Sequence, residues 1–139
     1  VSALLDTSAI IASLDEDETA HQAAHRRLVA GGCSVYLHGL AETFSVLTGG
    51  RRARRVEPAL AAQLIEEAVL PFVRLVALTP GDVRGALAQC QARGVRGGAI
   101  YDFLHLCAAR KAKVDSLVTL DRRHFEAIAR AGDPRIEAP

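Results

Sequence analysis

The sequence predicts an α/β fold, a three-layer sandwich whose mainly parallel sheet of four or five strands is flanked by helices. Three observations carry this. Short apolar runs such as "VSALL", "VRLVAL" and "SLVTL" punctuate the chain. Each is followed by a stretch with helical apolar spacing, and strands separated by helical crossovers imply a parallel sheet covered on both faces. A length of 139 residues, half of them hydrophobic, suits a single domain spanning 1–139 that buries a real core.

Val1 to Leu5 reads as a short buried strand, and helical spacing continues through Ile10, Ile11 and Leu14. The run "DEDE" marks a solvated break. Thr19 is then the expected N-cap of a helix through Leu28 and Val29 that ends at Gly31 and Gly32. "CSVYLH" reads as the second buried strand, and "GLAETFSVLTGG" as a helix with apolar positions Leu40, Phe44 and Leu47, closed by its glycine pair. An amphipathic helix from about Glu57 to Leu70 carries Pro58 in its first turn, where a missing N–H costs little, and Pro71 ends it. "VRLVAL" is strand three. "TPGDVRGALAQCQARG" is a helix with Thr79 as N-cap and Pro80 at its first position. "AIYDFLHLCAARKA" is another helix, "SLVTL" the fourth strand, and "DRRHFEAIARAG" a last helix stopped by Gly132. No internal repeat, low-complexity tract or linker interrupts this order.

A net charge of +1 excludes a uniform basic field that would draw the chain onto nucleic acid or membranes, so any such affinity must come from a local patch. The three cysteines, Cys33, Cys90 and Cys107, are far apart, lack metal-type spacing and sit in apolar contexts, which predicts reduced thiols. The start has no basic n-region, and no apolar run approaches the ~18 residues of a membrane span. These features predict a cytoplasmic protein without a membrane partner.

In open α/β sheets, ligands bind in the crevice beyond the carboxyl ends of the strands. Asp6 falls there after the first strand, and Asp121 after the fourth in "LVTLDRRHF". Glu42 and Asp102 occupy the first turns of otherwise apolar helices, in "GLAETF" and "AIYDFL". Each acid alone has a structural explanation: Asp6 as a helix cap, Asp121 as a turn former, Glu42 and Asp102 answering a helix dipole. Jointly they predict more. Four carboxylates converging at ~4 Å would repel by several kcal/mol per pair, so the cluster requires raised pKa values or a divalent cation. Hard oxygen donors select Mg²⁺ or Mn²⁺, and such a site performs phosphoryl chemistry.

"LLDTSAI", a glutamate in the helix after strand two, "AIYDFLHLCAARK" and "LVTLDRRHF" together resemble the four acidic blocks of PIN-domain nucleases, in that family's order. In length and coverage the chain is similar to the VapC-type toxins of bacterial toxin–antitoxin pairs. The resemblance implies a Mg²⁺- or Mn²⁺-dependent endoribonuclease, a homodimer, and an antitoxin protein that blocks the site. It assigns Asp6, Glu42, Asp102 and Asp121 as the catalytic, metal-holding set. Asp6, Asp102 and Asp121 would hold the principal ion, with Glu42 orienting a water or completing a second site. Ser8 and Thr119 match positions whose hydroxyls support the acids or the substrate. Many relatives carry a further acid shortly after the one matched by Asp121; here Arg122, Arg123 and His124 follow instead, which leaves the second metal open.

"GGRRARRVE" places Arg51, Arg52, Arg54 and Arg55 in a connection between helices, where guanidinium groups can grip RNA phosphates or an antitoxin's acidic tail, or can simply be solvated. Arg93 and Arg96, upstream of Asp102, form a second candidate contact. His21 and His25, one helical turn apart, read as a surface pair, and His105 as a core histidine within reach of an acid. Aromatics are scarce, Tyr36, Tyr101 and Phe125 among them, so recognition is expected to rest on RNA shape and phosphates rather than stacked bases. Two other readings compete. "LLDTSA" also resembles the strand-end nucleophile of haloacid-dehalogenase-like phosphatases, although Ser8 stands where that family expects a second aspartate. A catalytically silent PIN-like binding module is the other.

Overall fold

The computed structural model describes residues 2–50 and 54–139, so Arg51 and Arg52 lie outside the described residues. The chain starts with strand β1, Ala3–Leu5, and turns at Asp6 into helix α1, Thr7–Leu14. Helix α2, His21–Val29, leads to β2, Cys33–Tyr36, through Gly31 and Gly32, whose positive φ angles of 90° and 72° suit the glycines found there. Helices α3, Leu37–Thr48, and α4, Pro58–Ala68, follow, and a 3₁₀ turn at Leu70–Phe72 enters β3, Val73–Val76. Helices α5, Pro80–Arg93, and α6, Ala99–Ala112, precede β4, Ser116–Val118; α7, Arg122–Ile128, and β5, Arg135–Glu137, complete the order.

The five strands pair in parallel throughout, in the order β3-β2-β1-β4-β5. The chain winds outward from β1 on one side and returns to its other side at β4. That reversal opens a crevice beyond the carboxyl ends of β1 and β4, where loops diverge to opposite faces. Alternate side chains of β1 feed opposite cores: Leu4 joins Phe103, Leu106, Leu117 and Phe125, whereas Ala3 and Leu5 join Ile10, Leu28, Val35 and Val118. Phe103 and Phe125 are fully buried, each contributing about 2–3 kcal/mol by leaving water. Among the described residues, no helix is long and apolar enough to cross a membrane.

Four local readings are corrected. Helix α2 starts at His21 with Ala20 as N-cap and no side-chain cap, so Thr19 does not cap it; the His21 N–H instead closes a turn onto the Glu18 carbonyl at 3.0 Å. Strand β2 ends at Tyr36, and Leu37 and His38 already belong to α3, which places Glu42 in that helix's second turn. Pro71 sits inside the 3₁₀ turn, where its fixed φ is accommodated, rather than terminating α4 directly. Arg93 is structural: its guanidinium donates to Asp133 at 2.6 Å and to the Ile128 carbonyl at 3.2 Å, and lies 5.2 Å over the Phe103 ring. The Thr79 cap holds as read, with a reciprocal pair between Thr79 and Asp82 at 3.0 and 2.9 Å.

Candidate active site

Asp6 is the first residue past β1. Its N–H extends the ladder to the Val118 carbonyl at 3.1 Å, and its carboxylate turns back to cap α1, accepting from the Ala9 N–H at 2.9 Å. The Ser8 hydroxyl donates to the same oxygen, Oδ1, at 2.7 Å, and the Thr119 hydroxyl donates to Oδ2 at 2.6 Å. Only 5% exposed, Asp6 is pushed above the ordinary aspartate range by burial, against the pull of those three hydrogen bonds and of His105. Both oxygens are engaged, which suits a fixed ligand better than the attacking nucleophile of a phosphatase.

Asp121 precedes α7 and projects into solvent, its N–H donating to Thr119 Oγ1 at 2.9 Å, while the Leu120 N–H donates to Ser8 Oγ at 2.9 Å. Ser8 and Thr119 therefore clip the β4–α7 loop to the end of β1. The carboxylate of Asp102, in the first turn of α6, makes no hydrogen bond to any described residue. Burial first, then repulsion from Asp6, raises its pKa; His105 and His124 oppose this, and Asp121 adds to it.

Glu42 reaches the same place from α3. Its Oε2 accepts from Thr7 Oγ1 at 2.7 Å and from His105 Nε2 at 3.2 Å, so the carboxylate assigns the imidazole proton to Nε2. Burial pushes Glu42 up, but the His105 hydrogen bond and charge, with the Thr7 bond, outweigh it and hold the carboxyl below the usual glutamate range. His105 is 1% exposed, and it fits because Gly39 opposite has no side chain: a Cβ there would come within 3.2 Å of His105 Cε1.

Asp6, Ser8, Glu42, Asp102, His105 and Asp121 line one cleft of about 360 Å³. Glu18 lines it too, a residue that the sequence placed in a merely solvated break. As they stand, no three acidic, histidine or cysteine groups among the described residues are close enough to enclose an ion. The donor set nevertheless fits a hard divalent cation: it is all oxygen, Asp102 has no competing hydrogen bond, and Glu42 Oε1 is buried without a hydrogen-bond partner among the described residues. Of the arginine candidates within the described residues, Arg54, Arg55 and Arg96 are exposed, and Arg55 donates to the Gly50 carbonyl at 3.2 Å. Sequence reasoning missed Thr7, Glu18 and His38, whose Nε2 lies 3.8 Å from Glu42 Oε1. Thr7, adjacent to Asp6 at the start of a helix, carried the only readable signal.

Fold and site define a doubly wound, all-parallel α/β domain with an acidic cleft at its topological switch point. The PIN domain family model matches residues 3–131, and the chain belongs to that family. Ribonuclease VapC27 of Mycobacterium tuberculosis is 35% identical over 133 residues, covering 92% of this chain and 90% of that protein. Among solved structures, the M. tuberculosis toxin VapC20, described as cleaving the sarcin–ricin loop, superposes with a TM-score of 0.70 at 20% identity, covering 96% of this chain and all (100%) of that one. VapBC2 from Rickettsia felis, bound to a DNA fragment from its promoter, gives a TM-score of 0.70 at 12% identity, covering 100% of this chain and 99% of that one. At these identities the structural likenesses bear on the fold alone.

Proposed function

We propose that this protein is a divalent-metal-dependent endoribonuclease, the toxin of a bacterial toxin–antitoxin pair. The observation that carries the reading is the convergence of four carboxylates, from four separate elements, on one cleft where Asp102 is forced up partly by its acidic neighbours. Asp6, Asp102 and Asp121 would hold Mg²⁺ or Mn²⁺, with Glu42 completing the set. When bound, the ion neutralises charge on the phosphate oxygens and lowers the pKa of a water.

The chain's own residues do the rest. Ser8 and Thr119 fix both oxygens of Asp6, and Thr7 and His105 fix Glu42 Oε2, which leaves Oε1 to accept a hydrogen bond from the attacking water. The water oxygen bonds to phosphorus in line as the bond to O3′ breaks; the water gives up a proton and the leaving 3′ oxygen takes one up, giving a 5′-phosphate and a 3′-hydroxyl. Exposed Arg54, Arg55 and Arg96, with Arg51 and Arg52, grip flanking phosphates or an antitoxin's acidic segment. The nuclease acts in the bacterial cytoplasm, as a homodimer, until the cognate antitoxin covers the cleft. The relative named a ribonuclease supports the chemistry.

The test is transcriptome-wide mapping of 5′-phosphate ends after expression of the wild-type chain and of Asp6→Asn. A recurrent site present with the first and lost with the second is expected. Identical end maps from the two, with the variant folded, would overturn the assignment.

A further inference from the structure

Beside the acidic cleft, and sharing Thr7, Glu42 and Val46 with it, lies a second hollow of about 530 Å³. Its remaining walls are His38, Ala41, Ser45 and Tyr101. Two of these are aromatic rings stacked on each other, His38 and Tyr101, with centroids 6.4 Å apart and planes only 17° from parallel. They end a ladder of rings running inward. His38 meets Tyr36 at 6.0 Å, and Tyr36 packs edge-on against His105 at 5.3 Å, the imidazole that holds Glu42. The inner rungs are buried, so the outer pair is held in place from below. Yet Tyr101 is 55% exposed, a large ring left facing water at the rim of the site.

We infer that this hollow is a nucleobase subsite, in which a base adjacent to the scissile phosphate stacks on the Tyr101–His38 pair. The proposal rests on the nuclease reading for the phosphate's position, and on its own geometry for the base. A flat π-faced ligand matches aromatic rings above apolar Ala41 and Val46. Among the described residues no lysine or arginine lines the hollow, so its chemistry suits a base better than a phosphate. Its free polar edge is Ser45, donor or acceptor. Because Thr7, Glu42 and Val46 line both the hollow and the acidic cleft, a phosphate held in the cleft brings the attached base to this hollow without crossing open solvent. Recognition by this chain thus includes stacking, contrary to what the few aromatic residues in the sequence suggest.

The test uses octaribonucleotides of mixed sequence, each carrying fluorescent 2-aminopurine at one position, titrated against full-length protein carrying Asp6→Asn to prevent turnover. Quenching at one or two positions is expected. Adding Tyr101→Leu, which leaves an apolar side chain but removes the ring, should abolish the quench and weaken binding by about 5- to 150-fold, the range for one stacked base. Tyr101→Phe should preserve both, and unchanged far-UV circular dichroism shows that either variant is folded. Quenching that survives Tyr101→Leu, or is absent at every position, refutes the subsite. So does a hollow that ignores RNA but answers N-acetyl-argininamide with shifted Tyr101 ring resonances, which marks a protein partner's arginine as its occupant. Wild-type cleavage of the same RNAs is scored separately: no cleavage with a Tyr101-dependent quench refutes the hydrolytic reading and leaves the base subsite standing.

Discussion

Thr119 is a small residue on which the whole cleft depends, and its replacement by valine isolates that dependence. It is fully buried, its Oγ1 donating to Asp6 Oδ2 at 2.6 Å and accepting from the Asp121 N–H at 2.9 Å. Valine has the same shape but offers neither. Asp6 Oδ2 then loses its only donor among the described residues, a bond to a charged group worth about 1.5–3 kcal/mol. The Asp121 N–H borders the open cleft, where water can replace the lost acceptor, so its loss falls at the low end, about 0.5 kcal/mol. Together these give a destabilisation of about 2–4 kcal/mol, a drop of roughly 1–2 M in urea midpoint at the slope usual for a small domain. Thr119→Ser, which keeps Oγ1 and loses a buried methyl, should cost only about 1 kcal/mol. The pH dependence has a definite sign. The Thr119 bond holds the folded Asp6 carboxyl down, so its contribution is present when Asp6 is ionised and lost as pH falls through the folded pKa. Burial raises that pKa above the ordinary aspartate value. The gap between wild type and Thr119→Val should therefore be full at neutral pH and begin to close above the usual aspartate range. Urea melts of the three proteins at several pH values are the assay. A valine variant as stable as the serine one, or a gap that ignores pH, would show that the hydroxyl does not carry Asp6.

Other variants probe the remaining parts. Asp102 is raised by burial and by Asp6, so it disfavours the folded state once ionised; without metal, Asp102→Asn should raise the urea midpoint at pH 7 yet not at pH 3, while cutting RNA cleavage by about 100-fold or more. Gly39→Ala puts a Cβ within 3.2 Å of His105 and should lower cleavage about 10-fold by displacing Glu42's partner. The helix propensity gained keeps its stability within about 1 kcal/mol of wild type, as calorimetry would show. Arg93→Leu, which strips Asp133 of a buried partner, should cost about 2–4 kcal/mol in urea melts. Exposed Arg96→Ala should cost under about 0.5 kcal/mol but weaken RNA binding and flatten its salt dependence by about one ion.

Much of the architecture was legible because it follows from periodicity. β1, β4 and α6 are apolar enough, and bounded sharply enough, that the reading and the structure agree to within two residues. β5 was not read as a strand. Arg135–Glu137 is three residues long, partly exposed and at the sheet's edge, and it exists only because Ser116–Val118 offers a free ladder, a tertiary fact no local pattern encodes. Phe44 looked like part of a buried stripe, yet it is among the exposed hydrophobics because α3 turns that position outward. The four acids were legible from their places at strand and helix ends. The groups that fix them were less so. Thr7 reads only as the first residue of a helix, and His105 only as one polar side chain on an apolar face, until the fold sets both on Glu42 Oε2. Glu18 was lost in an acidic run that looks solvated at every position.

At Asp6 the cap reading and the site reading of the sequence do not exclude each other. One oxygen accepts the Ala9 N–H as a cap does, and the same oxygen takes the Ser8 hydroxyl that ties the β4–α7 loop to the site. Asp102 stands in the first turn of α6 and Asp121 immediately before α7, so the positive ends of three helices, α1 included, face the negative charge. That field lowers the cost of collecting carboxylates but does not cancel it, since Asp6 and Asp102 both remain raised. A doubly wound sheet supplies this arrangement because it aims the ends of its crossover helices and the carboxyl ends of its strands at one crevice. The residual rise at Asp6 and Asp102 is what the proposed cation would relieve, since acids already neutralised by the helix ends would have no remaining demand for one.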